Sequence, residues 1–152
     1  MTDPLTFAAK TPRHQLPNLF VAQAQKEFTV NEALARLDAL LHPAVEGEAD
    51  APPASPTDGE CWIVGSAPTG DWTGHAEGIA AWQSGNWIFV GPDEGVAVFD
   101  KAAGTLARYH GGWTRPAAVA APSGGATEDA EARAAIADLI ARLVEARILP
   151  AA

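Results

Sequence analysis

Five tryptophans within residues 59–113 are the feature that most constrains how this chain folds. Glycine-rich breaks separate them, and the stretch holds every tryptophan of the protein. Large aromatic side chains dominate the energetics of cores, and their faces also stack on flat ligands. The stretch therefore predicts a compact β module whose rings either fill a core or form a binding face. The five residues are Trp62, Trp72, Trp82, Trp87 and Trp113.

Short apolar runs inside this stretch predict the strands of the module. Residues 87–90 are apolar on both faces, so one face is core and the other needs a second partner. The single cysteine, Cys61, is expected to be a buried strand thiol. We expect an α+β fold in which residues 59–114 form a small antiparallel Trp-rich β sheet or an SH3-like barrel. The predicted strands are residues 61–64, 79–82, 87–90, 95–99 and 106–109, with a hairpin turn at Ser84-Gly85-Asn86.

The tryptophans divide by their local sequence. Trp62 and Trp87 lie in strand runs and are assigned to the core, whereas Trp82 fits either place. Trp72 and Trp113 lie beside glycines in predicted loops, so the sequence predicts them to be the exposed pair. Because Trp is mostly buried on average, core or intersubunit packing is favoured for the set. Stacking of Trp72 and Trp113 on the sugar rings of a polysaccharide is the alternative.

Residues 1–28 are predicted to be an extended N-terminal arm. Its prolines fix φ and disfavour helix in the residues that precede them. An exposed arm has little use for an apolar patch, so we expect its patch to dock on the β module or on a neighbouring subunit. The patch consists of Leu16, Leu19, Phe20 and Val21.

A first helix is predicted over residues 29–43. Thr29 and Glu32 form a T-x-x-E capping box at its start. Arg36 and Asp38 fall off its apolar stripe, and the partner of that stripe is either the β module or a sister helix. The stripe recurs at helical spacing and consists of Val30, Leu34, Leu37 and Leu41.

The rest of the chain is predicted to be two linkers and a second helix. Residues 44–58 and 115–126 are linkers because proline, alanine and glycine are frequent in them. An amphipathic helix follows over residues 127–148, with Thr127 as its cap. A tethered helix of this kind pairs with copies of itself or docks on a partner, and docking on its own domain is the alternative. Its apolar stripe is Ile136, Leu139, Ile140, Leu143 and Val144.

Composition argues against two classes of partner. The chain has 10 basic and 19 acidic side chains, and its net charge of −9 repels nucleic acid. Its apolar runs are far shorter than the ~20 residues of a membrane-spanning helix. The first residues show no secretory signal, so the chain is expected to be made and folded in the cytoplasm.

The sequence contains no recognisable catalytic pattern. Asp71, His75 and Glu77 lie close together, but their spacing matches no metal motif, and we interpret them as surface-loop residues. Asp93 and Glu94 fit a turn between strands better than an acid/base pair. Nucleophile elbows and phosphate-binding loops are absent from the sequence. The sequence therefore predicts a non-enzyme that needs no cofactor and no metal.

Two stretches of the chain carry more specific motifs. Residues 23–33 read Q-A-Q-K-E-x-T-x-N-E-A. Between residues 56 and 95 the chain contains P-x-x-G-x-x-W-I-V, then G-x-W-x-G, then W-x-F-x-x-P-x-x-G. Over residues 16–113 this combined pattern closely resembles the DUF2793 family, which is found in tailed phages and phage-like gene transfer agents of alphaproteobacteria.

The resemblance implies a virion structural role with no catalytic residues to carry over. Members of the family are similar to components of surface appendages, including the base of a head spike whose fibre attaches to host capsule polysaccharide. The implied location is a virion or phage-like particle, and the implied partners are capsid, fibre and copies of the same chain. The symmetry stays open between threefold and fivefold. We expect oligomer and adaptor contacts from Leu19, Phe20, Gln25, Lys26, Ile136, Leu139, Ile140 and Leu143.

Overall fold

The computed structural model describes residues 9–19, 26–125 and 129–151 of the 152-residue chain. Within these residues the chain forms two α-helices and eight strands in two small sheets. The predicted α+β class is therefore confirmed. The chain divides into two compact units after Pro92, so the predicted module of residues 59–114 is shared between two units.

The described residues of the first unit contain α1 and five strands, and those of the second contain three strands and α2. The first-unit elements are α1 Lys26–Leu40, β1 Ala44–Val45, β2 Glu48–Ala49, β3 Cys61–Val64, β4 Ile79–Gln83 and β5 Asn86–Val90. The second-unit elements are β6 Ala97–Asp100, β7 Thr105–Tyr109, β8 Trp113–Thr114 and α2 Ala130–Glu145.

The sheet of the first unit has the strand order β2–β3–β4–β5. β2 runs parallel to β3, so the sheet is mixed and the prediction of a purely antiparallel sheet is wrong in this detail. The prediction that residues 44–58 are a linker is also wrong, because they contain β1 and β2. Their three prolines come after β2 and interrupt no ladder hydrogen bond. Asp50 fixes the stretch by accepting a hydrogen bond from Ala67 N at 3.1 Å.

The predicted hairpin is formed by β4 and β5. Their two-residue loop contains Ser84 and Gly85, with φ of 51° and 82°. Positive φ at both positions is the requirement of a type I′ turn, whose twist matches that of the flanking strands. The turn sets the register in which Trp82 lies opposite Trp87.

One face of the first sheet packs around Trp72. This residue ends a short 3-10 turn and is fully buried, so the prediction that it is exposed is wrong. Its ring lies edge-on to Trp87, with ring centroids 5.2 Å apart, and tilted against Trp62 at 6.4 Å. Trp62 and Trp87 are half-buried and pack on the core as predicted. The physical reason for the burial of Trp72 is that the turn folds its ring back onto the sheet.

The opposite face of the same sheet is covered by α1. Ala35 and Ala39 of the helix line a small gap together with Cys61 of β3 and Ala81 of β4. All four side chains are buried, which confirms the predicted burial of the Cys61 thiol. Small side chains on both sides let the helix lie close to the sheet. This helix is the second partner that the two-sided apolar strand requires.

The start of α1 differs from the prediction. Helical residues are described from Lys26, so Thr29 lies inside the helix and the predicted capping box does not mark its start. Lys and Glu are good helix formers, and they extend the helix by one turn toward the N-terminus. The helix ends at Leu40, close to the predicted end.

The second unit contains an antiparallel meander that is formed by β6, β7 and β8. Asp100 closes the first turn: its Oδ1 accepts a hydrogen bond from Ala103 N at 3.0 Å. The Asp100 side chain is 3% exposed, and its Oδ2 accepts from Arg115 Nε at 2.6 Å. Residues 115–125 contain neither helix nor strand. None of the described helices is long and apolar enough to cross a membrane.

Candidate assembly surfaces

The described part of the arm, residues 9–19, is held against the C-terminal end of α1. Arg13 Nη1 donates to the carbonyl oxygens of Asp38 and Ala39, both at 2.8 Å, and its Nη2 donates to that of His42 at 2.8 Å. The last carbonyls of a helix lack partners within the helix, and a cation there also complements the helix dipole. The arm thus caps the helix that packs on the sheet.

Asp38 is the centre of the contact between arm and helix. Its carboxylate accepts from Thr11 Oγ1 at 2.7 Å, from Arg13 N at 2.9 Å and from His14 N at 2.6 Å. Asp38 is 2% exposed. Asp38 lies off the apolar stripe, as the sequence predicts, and the face on which it lies is buried. A carboxylate is tolerated in a buried position when donors surround it in this way.

Asn31 fixes the arm at a second point. Its Oδ1 accepts from Leu19 N at 2.8 Å, and its Nδ2 donates to Leu19 O at 3.2 Å. Leu19 is therefore tied to α1 through its backbone, whereas its predicted role as a contact with other chains stays a prediction. Lys26 is exposed at the start of the helix. The predicted contacts Phe20 and Gln25 lie outside the described residues.

The apolar stripe of α1 does not face the sheet. Val30, Leu37 and Leu41 are 39%, 56% and 47% exposed, and Leu34 is half-buried. The helix docks instead with the face that carries Ala35, Asp38 and Ala39, about a third of a turn away from the stripe at 100° per residue. The protein thus presents a row of aliphatic side chains on a helix whose other side is fixed.

α2 presents a second apolar stripe. None of its residues from Ala130 to Glu145 is buried, and Ile136 and Leu139 are 44% and 60% exposed. Ile140 and Leu143 of the predicted contact set are half-buried. The cap of α2 is Asp129, whose side chain accepts from Ala132 N at 2.9 Å. The predicted cap, Thr127, lies outside the described residues.

The two tryptophans predicted to contact sugar have different environments. Trp72 offers no ring face to solvent, and its Nε1 finds no acceptor among the residues that the structure describes. Trp113 is half-buried in β8, and its ring lies edge-on to Tyr109 with centroids 5.5 Å apart. The two residues also belong to different units.

Two polar arrangements were not visible in the sequence. Glu94 accepts from His110 Nδ1 and from Gly111 N, both at 2.7 Å. These bonds, that from the Gly111 backbone first, lower the pKa of Glu94 below its usual 4.5. In the first unit, His75 stacks on Phe89 with centroids 3.6 Å apart.

No constellation for metal chemistry is formed by the residues described. Within the three described ranges, no group of three His, Cys, Asp or Glu side chains is placed to hold a metal ion. Asp71 and His75 are exposed, as expected for loop residues.

Comparisons with known proteins identify a family for this chain. No curated protein matches it. The family model described as "Protein of unknown function (DUF2793)" matches residues 30–114, which is more than half of the 152 residues. The matched segment runs from the exposed stripe of α1 to the end of β8. The chain therefore belongs to the DUF2793 family.

Proposed function

We propose that this protein is a non-enzymatic structural component of a phage-type particle, an oligomeric adaptor that links the particle to a receptor-binding fibre. The observation that carries the proposal is the pair of helices that leave their aliphatic stripes exposed. Leu37 in α1 and Leu139 in α2 are 56% and 60% exposed. A chain of this size gains stability by covering such stripes in an assembly.

The proposed occupant of the α2 stripe is α2 of a second copy. A 16-residue helix with no buried residue is close to the length at which isolated helices are marginal in water. Apolar residues at helical spacing favour packing of like helices along a common seam. The family resemblance suggests the other partners in the proposal. They are the capsid below and the fibre above, at the base of a head spike or a tail appendage.

The size of the protein in solution tests self-association. We expect an oligomer by sedimentation equilibrium, and we expect Leu139→Lys to convert it to monomer because a charge then lies in the seam. Ala134→Lys is the matched control, since it adds the same charge to the opposite face of α2. A wild-type monomer at high concentration, or equal effects of both variants, contradicts the self-association.

The location in a particle needs a separate test. Particles purified from a strain that carries an affinity-tagged copy of this chain are imaged with a gold-labelled antibody against the tag. Label at head vertices or on the tail supports the adaptor role. Particles that assemble normally and carry no label contradict it.

Direct contact with capsule polysaccharide is the alternative function. The burial of Trp72 removes one of its two proposed contacts. Trp113 is half-buried beside Tyr109, so the alternative is a sugar site based on this pair. Trp113→Ala would then abolish polysaccharide binding and leave the far-ultraviolet circular dichroism spectrum unchanged.

A further inference from the structure

The second unit contains a cavity with a cationic and an apolar side. Its volume is about 380 Å³, near the lower end of the range for small-ligand sites. Leu106 and Ile148 on its wall are 37% and 54% exposed, so the apolar side is open to solvent. The cavity is lined by Leu106, Arg108, Thr114, Arg115, Pro116 and Ile148.

The two arginines of the cavity are placed by the sheet. Arg108 of β7 lies opposite Thr114 of β8, and Arg108 is exposed. Arg115 is held by its 2.6 Å bond to the buried carboxylate of Asp100. The cavity therefore presents guanidinium groups to a ligand, although the whole chain carries −9.

We propose that this cavity binds a carboxylate that is carried on a small apolar body. The Arg108 guanidinium offers paired N–H donors whose planar geometry matches a carboxylate. The apolar part of the ligand packs against Leu106, Pro116 and Ile148.

This binding site is independent of the assembly function proposed above. Its residues lie outside the apolar stripes of α1 and α2, so a ligand in the cavity and a second copy of the chain would contact different side chains. A carboxylate on an apolar body is found at the end of a peptide chain and in free small carboxylic acids. The two sources share the recognition chemistry, and the choice of probes separates them.

The test is a titration of the full chain followed by amide chemical shifts. N-acetyl-L-leucine carries both features, its neutral amide lacks the charge, and acetate lacks the apolar body. We expect millimolar binding, because ligands of this size gain only a fraction of a kilocalorie per atom. The complete probe should bind at least about tenfold more tightly than either truncated probe, with shifts at Arg108, Thr114 and Ile148. No binding, or equal binding of all three probes, overturns the proposal.

Two variants test the assignment to this cavity. Arg108→Gln should weaken binding of N-acetyl-L-leucine at least about tenfold, and Lys10→Gln, which removes the same charge from the first unit, should leave it unchanged. Ile148→Asp should also abolish binding, since it places a like charge in the apolar wall. An amide spectrum with the wild-type dispersion shows that each variant is folded. Wild-type affinity in Arg108→Gln overturns the proposal.

A further probe identifies the source of the ligand. 4-Methylpentanoate has the carboxylate and the branched chain of the leucine probe and lacks its amide group. Binding equal to that of N-acetyl-L-leucine indicates free carboxylic acids, and binding about tenfold weaker indicates a peptide chain end. Both results support the carboxylate site.

Discussion

At the scale of single residues, Asp38 decides which face of α1 packs on the sheet. Three donors from residues 11–14 reach its carboxylate, and the adjacent alanines leave room for close packing. Turning the helix to bury its leucines would remove these bonds and leave the carboxylate without donors. A buried charge without partners costs more than the burial of a leucine contributes.

Replacement of Asp38 is therefore expected to destabilise the first unit. Asp38→Ala should lower the free energy of unfolding by about 3 kcal/mol, since hydrogen bonds to a charged group are lost together. Asp71→Ala, at an exposed aspartate, is the control and should change it by less than about 0.5 kcal/mol. Urea denaturation measures both values. Similar values for the two variants would show that the buried carboxylate is not required.

Trp72 leads to a second prediction at this scale. Trp72→Ala should destabilise the protein by about 3–5 kcal/mol, because it leaves a large cavity among buried side chains. Trp113→Ala should cost clearly less, since that ring is half-buried. Tryptophan fluorescence in a urea titration gives both values. A Trp72 variant as stable as the wild type would contradict a core role for this ring.

The residue scale also shows where sequence reasoning fails. The tryptophan content predicted an aromatic core, because rings of that size must be covered. The role of Asp38 could not be predicted, since its donors lie 24 to 27 positions away in the chain and follow no helical or strand period. Trp72 was misplaced because its flanking glycines suggest a loop but do not reveal that the loop folds onto the sheet.

At the scale of elements, α1 shows that an apolar stripe and a packing face are not always the same. The alanine face of α1 is buried and its leucine stripe is exposed. The spacing of the leucines predicted the apolar stripe. It did not predict which face packs on the sheet, because alanine and aspartate give no periodic hydrophobic signal. The five predicted strands correspond closely to β3–β7, with β3 at its observed bounds, since β-branched and aromatic runs between glycine turns mark them. The two-residue strands β1, β2 and β8 were not predicted, because they are too short to show a period.

Substitutions on the two faces of α1 are expected to have opposite outcomes. Ala39→Leu should destabilise the protein by about 1–3 kcal/mol, because the added methylene groups have no room against the sheet. Leu37→Ala should change the stability by less than about 1 kcal/mol, since its side chain is 56% exposed in the single chain. Thermal unfolding of dilute protein, where assembly is minimal, checks both. A larger effect of Leu37→Ala would mean that the leucine stripe is the packing face.

The contact between Glu94 and the loop that joins β7 and β8 is expected to depend on pH. Glu94 has a lowered pKa, so its contribution to stability is complete above 4.5 and is lost as pH falls through the lower value of the folded state. The Gly111 amide shift should follow this titration with a midpoint below 4.5, and Glu94→Gln should abolish the transition. Asp93→Asn is the neighbouring control and should leave it in place. A wild-type midpoint at or above 4.5 would contradict the proposed bonds.

At the scale of the whole molecule, the division into two units explains what the sequence could not provide. Glycine turns and apolar runs continue across residues 90–97, so no change in composition marks the boundary after Pro92. The sequence predicted an α+β protein with a helix near each end, and this is observed. The two exposed stripes follow from the same pattern: each helix has more apolar surface than its own unit covers.

The helical structure of α2 is expected to depend on protein concentration. None of the 16 residues of α2 is buried within the single chain, so little packing stabilises this helix before assembly. The helical circular dichroism signal should therefore fall on dilution, while the tryptophan fluorescence of the first unit stays constant. Leu139→Lys should show the low helical signal at every concentration, and Ala134→Lys should follow the wild type. A helical signal that is independent of concentration would show that α2 is stable without a second copy, and the proposed seam between copies would then be wrong.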